Sequence, residues 1–165
     1  MTTFFKELDI QSPKEKVWKV MANLGDINRF NPNTSKSYYS SNIKEGIGAA
    51  RICELRPTGV VEETATIWNE GNGFTLKITP IKNAPPVKNM YAVLDLKSLN
   101  PKNTRVKINM EYETKLGVLG KTLNTLVIKS QMKKGIQLLL EGLKVHLEQG
   151  HDITDPKSLK QYKSA

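Results

Sequence analysis

Cysteine is nearly absent from this chain. Cys53 stands alone among 165 residues, so no internal disulfide and no CxxC pair can form. Histidine is almost as scarce, at His146 and His151, and without HExxH or a comparable ligand spacing no metal is expected. Long apolar runs are missing too. No stretch approaches the roughly 20 residues needed to cross a bilayer. Met1 to Ile10 carries only Lys6 ahead of no apolar block, so no secretory signal is read there and a cytoplasmic protein is expected. Gly46-Ile47-Gly48 lacks the third glycine of a dinucleotide loop and precedes a strand pattern, which leaves the expected cofactor set empty.

Acidic residues are few relative to basic ones, 16 against 25, for a net charge of +9. Such an excess raises the question of an anionic partner. Aromatics make up only 7% of the chain and are not interleaved with the lysines that thicken from Lys121 to Lys163, so no nucleic-acid partner is expected. A solvated basic face is the plainer reading, with contact to a membrane surface as the alternative.

What is present is a clear order of patterns. Thr3 to Gln11 reads as a strand, and Ser12-Pro13-Lys14-Glu15 supplies a capping box with proline at the first helical position. The helix is expected to run to about Asn23, burying Val17, Val20, Met21 and Leu24, with Gly25 as its end. A short helical turn from Asp26 to Phe30 stops before Asn31-Pro32, because a residue preceding proline is pushed out of the helical region.

From Ser35 to Thr114 the period changes to two, broken by turn residues at Lys44-Glu45-Gly46, Pro57-Thr58-Gly59, Glu70 to Gly73, Ala84-Pro85-Pro86 and Asn100 to Asn103. Val106, Ile108, Met110 and Tyr112 alternate with Arg105, Lys107, Asn109, Glu111 and Glu113, which gives one buried and one wet face. Phe74, Leu76 and Ile78, then Met90, Ala92, Leu94 and Leu96, repeat the pattern. After Gly117 and Gly120, Leu123, Leu126, Val127, Met132, Ile136, Leu139, Leu140, Leu143 and Leu147 recur at helical spacing up to Gln149. That helix spans about 40 Å at roughly 1.5 Å per residue, enough to cross a sheet. Residues 1–150 are expected to form one domain, and residues 151–165 a polar, mobile tail.

The order of elements, with Ser12-Pro13-x-x-x-Val17-Trp18, Phe30-Asn31-Pro32, Gly46-x-Gly48-x-x-Arg51, Glu63-x-x-x-x-Trp68-Asn69 and Leu143-Lys144, resembles the START-like (SRPBCC) superfamily, nearest to its polyketide cyclase/dehydrase-like members. Birch-pollen-type allergens and plant abscisic acid receptors share its helix-grip fold. The resemblance implies an α+β architecture: a curved antiparallel sheet of about seven strands around a long C-terminal helix, with two short helices after the first strand. It also implies a ligand cavity between sheet and helix. Thr64 stands where an arginine often follows the glutamate, and Arg56-Pro57-Thr58-Gly59 does not match the hormone receptors' gate loop. No Cys/His pattern for an iron–sulfur cluster is present, unlike the Rieske oxygenases.

Strand parity singles out Arg51 and Glu63 as charges on otherwise apolar inward faces, beside Cys53, Val61, Ala65 and Ile67. A Pro57-Thr58-Gly59 loop sets Glu63 opposite Cys53 and diagonal to Arg51, and a loop one residue longer or shorter turns Glu62 inward instead. Buried charges need partners, so the pair either orients a ligand or seals one end of the core. Tyr112 is either core or a hydroxyl in the cavity. Cys53 without a nearby base reads as a small hydrophobe, His146 as a covered surface residue, and Trp68 as facing outward or at the sheet rim.

The expected ligand wall comprises Arg51, Cys53, Glu63, Ala65, Phe74, Leu76, Ile78 and Met90 from the first strands of the meander. Ala92, Leu94, Ile108, Met110 and Tyr112 continue it, and Leu123, Val127 and Met132 come from the helix. Three functions compete. The first is a non-catalytic binder or carrier of a small hydrophobic molecule, as monomer or homodimer; the second is a metal-free cyclase or dehydratase using Glu63, Arg51 and Tyr112; the third is a basic membrane- or partner-binding module.

Overall fold

The computed structural model describes residues 1–84, 86–114 and 123–164. The chain runs through β1 (Thr2–Ile10), α1 (Lys14–Ala22), a 3₁₀ helix (Leu24–Arg29), then β2 (Thr34–Tyr39), β3 (Ala50–Leu55), β4 (Val60–Asn69), β5 (Gly73–Lys82), β6 (Val87–Asn100) and β7 (Asn103–Thr114). α2 (Leu123–Gln149) and α3 (Pro156–Lys163) complete it. The strands form one seven-stranded sheet in the order β1-β7-β6-β5-β4-β3-β2, each pair antiparallel. β1 lies beside β7 because the two helical segments carry the chain across to the far edge before the meander begins. This is the helix-grip arrangement.

The alternation sets the core. Val106, Ile108, Met110 and Tyr112 of β7, Phe74, Leu76 and Ile78 of β5, and Met90, Leu94 and Leu96 of β6 are buried on one face. Ile128, Leu139, Leu140, Leu143 and Leu147 of α2 pack into the same cluster, with Met132 and Ile136 partly covered. The phase of α2 differs from the sequence expectation at its start. Leu126 and Val127 are exposed, at 67% and 51%, and Ile128 is the buried member of that apolar trio. Leu123 opens α2, and its side chain lies outside the described residues, as do Pro85, Gly117, Gly120 and Lys121.

Two glycines bring α2 close to the segment between the 3₁₀ helix and β2. A Cβ at Gly142 would run into the carbonyl oxygen of Phe30, while Gly135 leaves room for Asn33, whose Nδ2 donates to its carbonyl at 3.0 Å. The glycines stand seven residues apart on one helix face. Residues 30–33 are thereby fixed against the helix.

The helix start differs from the expected capping box. Pro13 is the N-cap of α1 and no side chain caps it. The Ser12 hydroxyl is buried without a partner among the described residues, and the Ser12 carbonyl accepts from Thr104 Oγ1 at 2.8 Å. Gly25 does not end the helix: α1 stops at Ala22, and Gly25 is buried inside the 3₁₀ helix against the Tyr39 ring.

A bulge between Ala65 and Ile67 reverses the parity of β4. Ile67, expected inward, is 59% exposed, and Trp68 turns toward Trp18 and Phe74, with ring centroids 5.3 Å from each. Both indole N–H groups donate to Glu70, at 2.9 Å from Trp18 and 2.8 Å from Trp68. Ile47, between Gly46 and Gly48, precedes β3 and is exposed.

Beyond Gly150, where a polar tail was expected, the chain forms α3. Asp155 accepts from the backbone N–H of Lys157 and Ser158, Ser158 completes the capping box, and Pro156 opens α3. Ile153 and Leu159 are buried with Val145 in a small second core, flanked by Leu138 and Tyr162. Lys163 pairs with Glu141 at 2.8 Å, and Arg29 with Asp152 at 3.1 Å. No helix among the described residues is long and apolar enough to cross a membrane.

Candidate functional site

Arg51 on β3 and Glu63 on β4 are direct cross-strand partners. The register differs from the expected one, in which Glu63 faced Cys53. Leu55 N–H donates to the Gly59 carbonyl at 2.7 Å, so the reversal is centred on Arg56 to Thr58, and Cys53 lies opposite Val61. The shift is by an even count across the pair. Glu63 therefore stays inward and Glu62 faces out, bonded to Ser40 at 2.9 Å.

The pair is tightly built. Arg51 Nε and Nη2 both donate to Glu63 Oε2, at 2.6 and 2.5 Å, and Nη1 donates to the Leu24 carbonyl at 2.9 Å. The Arg51 side chain is 6% exposed and that of Glu63 14%. Burial alone would lower the Arg51 guanidinium, but the Glu63 carboxylate outweighs it and holds the group above its ordinary value. Cys53 Sγ lies 3.8 Å from the same Oε2. Burial, then the Glu63 charge, pushes its thiol up to about 12, so Cys53 is a protonated core thiol and no nucleophile near neutral pH.

Glu63 stands at one end of an open hollow of about 190 Å³ between sheet and α2. Val61, Ile78, Met90 and Met110 form its sheet wall, and Met132, Gly135, Ile136 and Leu139 its helix wall. Asn31, Asn33 and Leu55 make the rim. Among the described residues Glu63 Oε1 makes no hydrogen bond, since Arg51 and Cys53 all converge on Oε2. A carboxylate oxygen is thus left without a partner on a residue that lines a mostly apolar hollow.

Of the residues expected from the sequence, Glu63, Ile78, Met90, Met110 and Met132 line this hollow. Arg51 and Cys53 stand behind Glu63 without lining it. Ala65, Phe74, Leu76, Leu94 and Ile108 belong to the packed core, and Ala92 is half-buried against it. Tyr112 is fully buried and does not reach the hollow; its hydroxyl has no partner among the described residues, and burial raises its phenol above the ordinary value. Val127 points to solvent.

Sequence reasoning passed over Asn31, Asn33, Leu55, Val61, Gly135, Ile136 and Leu139. Leu55 and Val61 carried a usable signal, inward parity next to the hairpin, and the Asn31-Pro32-Asn33 run carried another. His146 sits elsewhere, its Nδ1 3.0 Å from the His151 carbonyl oxygen and 3.3 Å from Asp152. Among the described residues no three His, Cys, Asp or Glu side chains gather as a metal-binding group.

Solved structures share this architecture. The ZhuI aromatase/cyclase from Streptomyces sp. R1128 superposes with a TM-score of 0.74 at 12% identity, covering 89% of this chain and 93% of its own. A START superfamily protein from Mycobacterium smegmatis gives 0.67 at 14%, covering 89% and 97%. Ara h 8.0201 gives 0.69 at 14%, covering 90% and 98%. At such identities the likeness is one of fold. No curated protein matches the chain by sequence. The profile of one family does, over residues 1–148, and with the sheet, the gripped helix and the hollow in place the chain belongs to that family, polyketide cyclase/dehydrase and lipid transport.

Proposed function

We propose that this protein binds or carries a small, largely apolar molecule in the hollow between the sheet and α2, with Glu63 orienting the ligand's polar end. The observation that carries the reading is Glu63 Oε1, an acceptor without a partner among the described residues in a wall otherwise made of aliphatic and methionine side chains. A pair that merely sealed the core would bury both carboxylate oxygens, whereas Oε1 is not among the buried polar atoms without a partner and Glu63 lines the open hollow. The three methionines suit a binder, because flexible thioethers repack around different shapes.

The volume sets the scale of the bound part. An apolar cavity of about 150 Å³ admits benzene, whereas sites for drug-sized ligands start near 300 Å³. At about 190 Å³ the hollow holds one ring or a short branched chain, with any remainder of the molecule outside. Native mass spectrometry of the purified protein, followed by solvent extraction, tests the proposal. A co-purified apolar compound, displaced when Met110→Trp fills the hollow, is the expected result; retention of that compound by the filled variant contradicts it.

A cyclase or dehydratase activity is the second reading. It draws on the same free oxygen, positioned to take a proton from a bound substrate, and on the fold shared with ZhuI. In that reading Glu63 acts with Arg51 as its counter-charge, and Tyr112 has no part because it does not reach the hollow.

A further inference from the structure

We infer that the hollow selects an uncharged ring bearing hydroxyl groups and rejects carboxylates, an inference that rests on the binding role proposed above. Arg51 would ordinarily attract a carboxylate, but Nε and Nη2 are spent on Glu63 Oε2, Nη1 on the Leu24 carbonyl, and the side chain does not line the hollow. What the hollow meets is the other side of the pair, Glu63 Oε1. A ligand carboxylate there would set acceptor against acceptor and like charge against like charge.

The rim adds two more polar atoms of known kind. Asn33 backbone N–H donates to the Asn31 side-chain oxygen at 3.1 Å, which fixes that amide's orientation and leaves Asn31 Nδ2 as the free group. Asn33 Nδ2 is used twice, toward Asn31 Oδ1 and the Gly135 carbonyl, both at 3.0 Å, which leaves Asn33 Oδ1. On Glu63, Asn31 and Asn33, which line the hollow, the side-chain polar atoms left without a hydrogen bond among the described residues are therefore two acceptors, Glu63 Oε1 and Asn33 Oδ1, and one donor, Asn31 Nδ2. Hydroxyls answer such a set, since each donates and accepts. With room for one ring, the occupant is a di- or polyhydroxylated ring, free or at the tip of a longer molecule.

Calorimetric titration with four probes tests this: resorcinol, 1,3-dimethoxybenzene, toluene and 3,5-dihydroxybenzoate. Resorcinol is expected to bind at least about tenfold tighter than the dimethoxy and benzoate probes, as one hydrogen bond to a charged acceptor implies. Glu63→Gln presents an amide N–H to the hollow and should reverse the preference toward 1,3-dimethoxybenzene. Should Arg51, left unpaired, unfold that variant, the double variant Arg51→Met with Glu63→Leu keeps the core apolar and should lose most of the resorcinol preference, keeping only what the rim asparagines supply. Equal affinity of the native protein for resorcinol and 1,3-dimethoxybenzene overturns the hydroxyl preference while leaving the binding role standing. Equal affinity for the benzoate overturns the charge argument. Binding of none of the rings, toluene included, overturns the inference together with the binding role.

Discussion

At the scale of single residues, parity was enough to find the two that matter most. Arg51 and Glu63 interrupt otherwise apolar alternations, and a charge on an inward face must be paired. Parity says nothing of register, which is why the sequence put Glu63 opposite Cys53 rather than Arg51; the reversal around Arg56 to Thr58 is a matter of turn geometry. Ser12 shows the opposite failure. Ser-Pro-x-Glu is a sound capping signal, yet the Ser12 hydroxyl is buried away from the helix start and Pro13 is the N-cap. A real cap loses about 1 kcal/mol on replacement by alanine, whereas removal of a buried hydroxyl without a partner is neutral or favourable. Ser12→Ala is thus expected to leave Tm unchanged or raised in a calorimetric scan, and a fall of several degrees would restore the capping role.

Among the elements, the long strands were legible because each shows a wet and a greasy face, and α2 because its apolar spacing is sustained. Its phase was not legible at Leu126-Val127-Ile128, where three adjacent apolar residues fit any face. Packing selects Ile128, in step with Met132, Ile136 and Leu140. The β4 bulge was equally hidden, since an extra residue depends on the partner strand. Its consequence is the cluster of Trp18, Trp68 and Phe74 clasped by Glu70.

The hydrogen bonds from Trp68 and then Trp18 hold the Glu70 carboxyl below its ordinary value. A depressed folded-state value means stabilisation that is present above the ordinary glutamate range and lost as pH falls through the folded-state value. Trp18 and Trp68 are the chain's two tryptophans, so fluorescence reads this clasp directly. On acidification the emission should change below the ordinary glutamate range, and Glu70→Gln should flatten that change. An identical acid profile in the variant would place the transition elsewhere.

Over the whole molecule, the family match ends at residue 148, before α3. Only a few apolar residues lie beyond Gly150, which hid their role, although Asp155-Pro156-x-Ser158 was a complete helix start in plain view. α3 buries Ile153 and Leu159 against Val145 and ties the chain's end to α2 and Arg29. Each such side chain contributes about 1.5–3 kcal/mol. A chain ending at Gly150 should therefore melt on the order of 10 °C lower, by the usual dependence for this size. An unchanged Tm would return the segment to the status of a tail.

The hollow itself was the least legible feature, because alternation predicts apolar walls but not the space between them. Five methionines make that space observable: Met90, Met110 and Met132 line it, while Met1 and Met21 do not. Phenol titrated into protein carrying ¹³C-methyl methionine should move the first three methyl signals to saturation and leave those of Met1 and Met21 in place. Five unmoved signals, or shifts shared evenly among all five, would contradict a binding site between the sheet and α2.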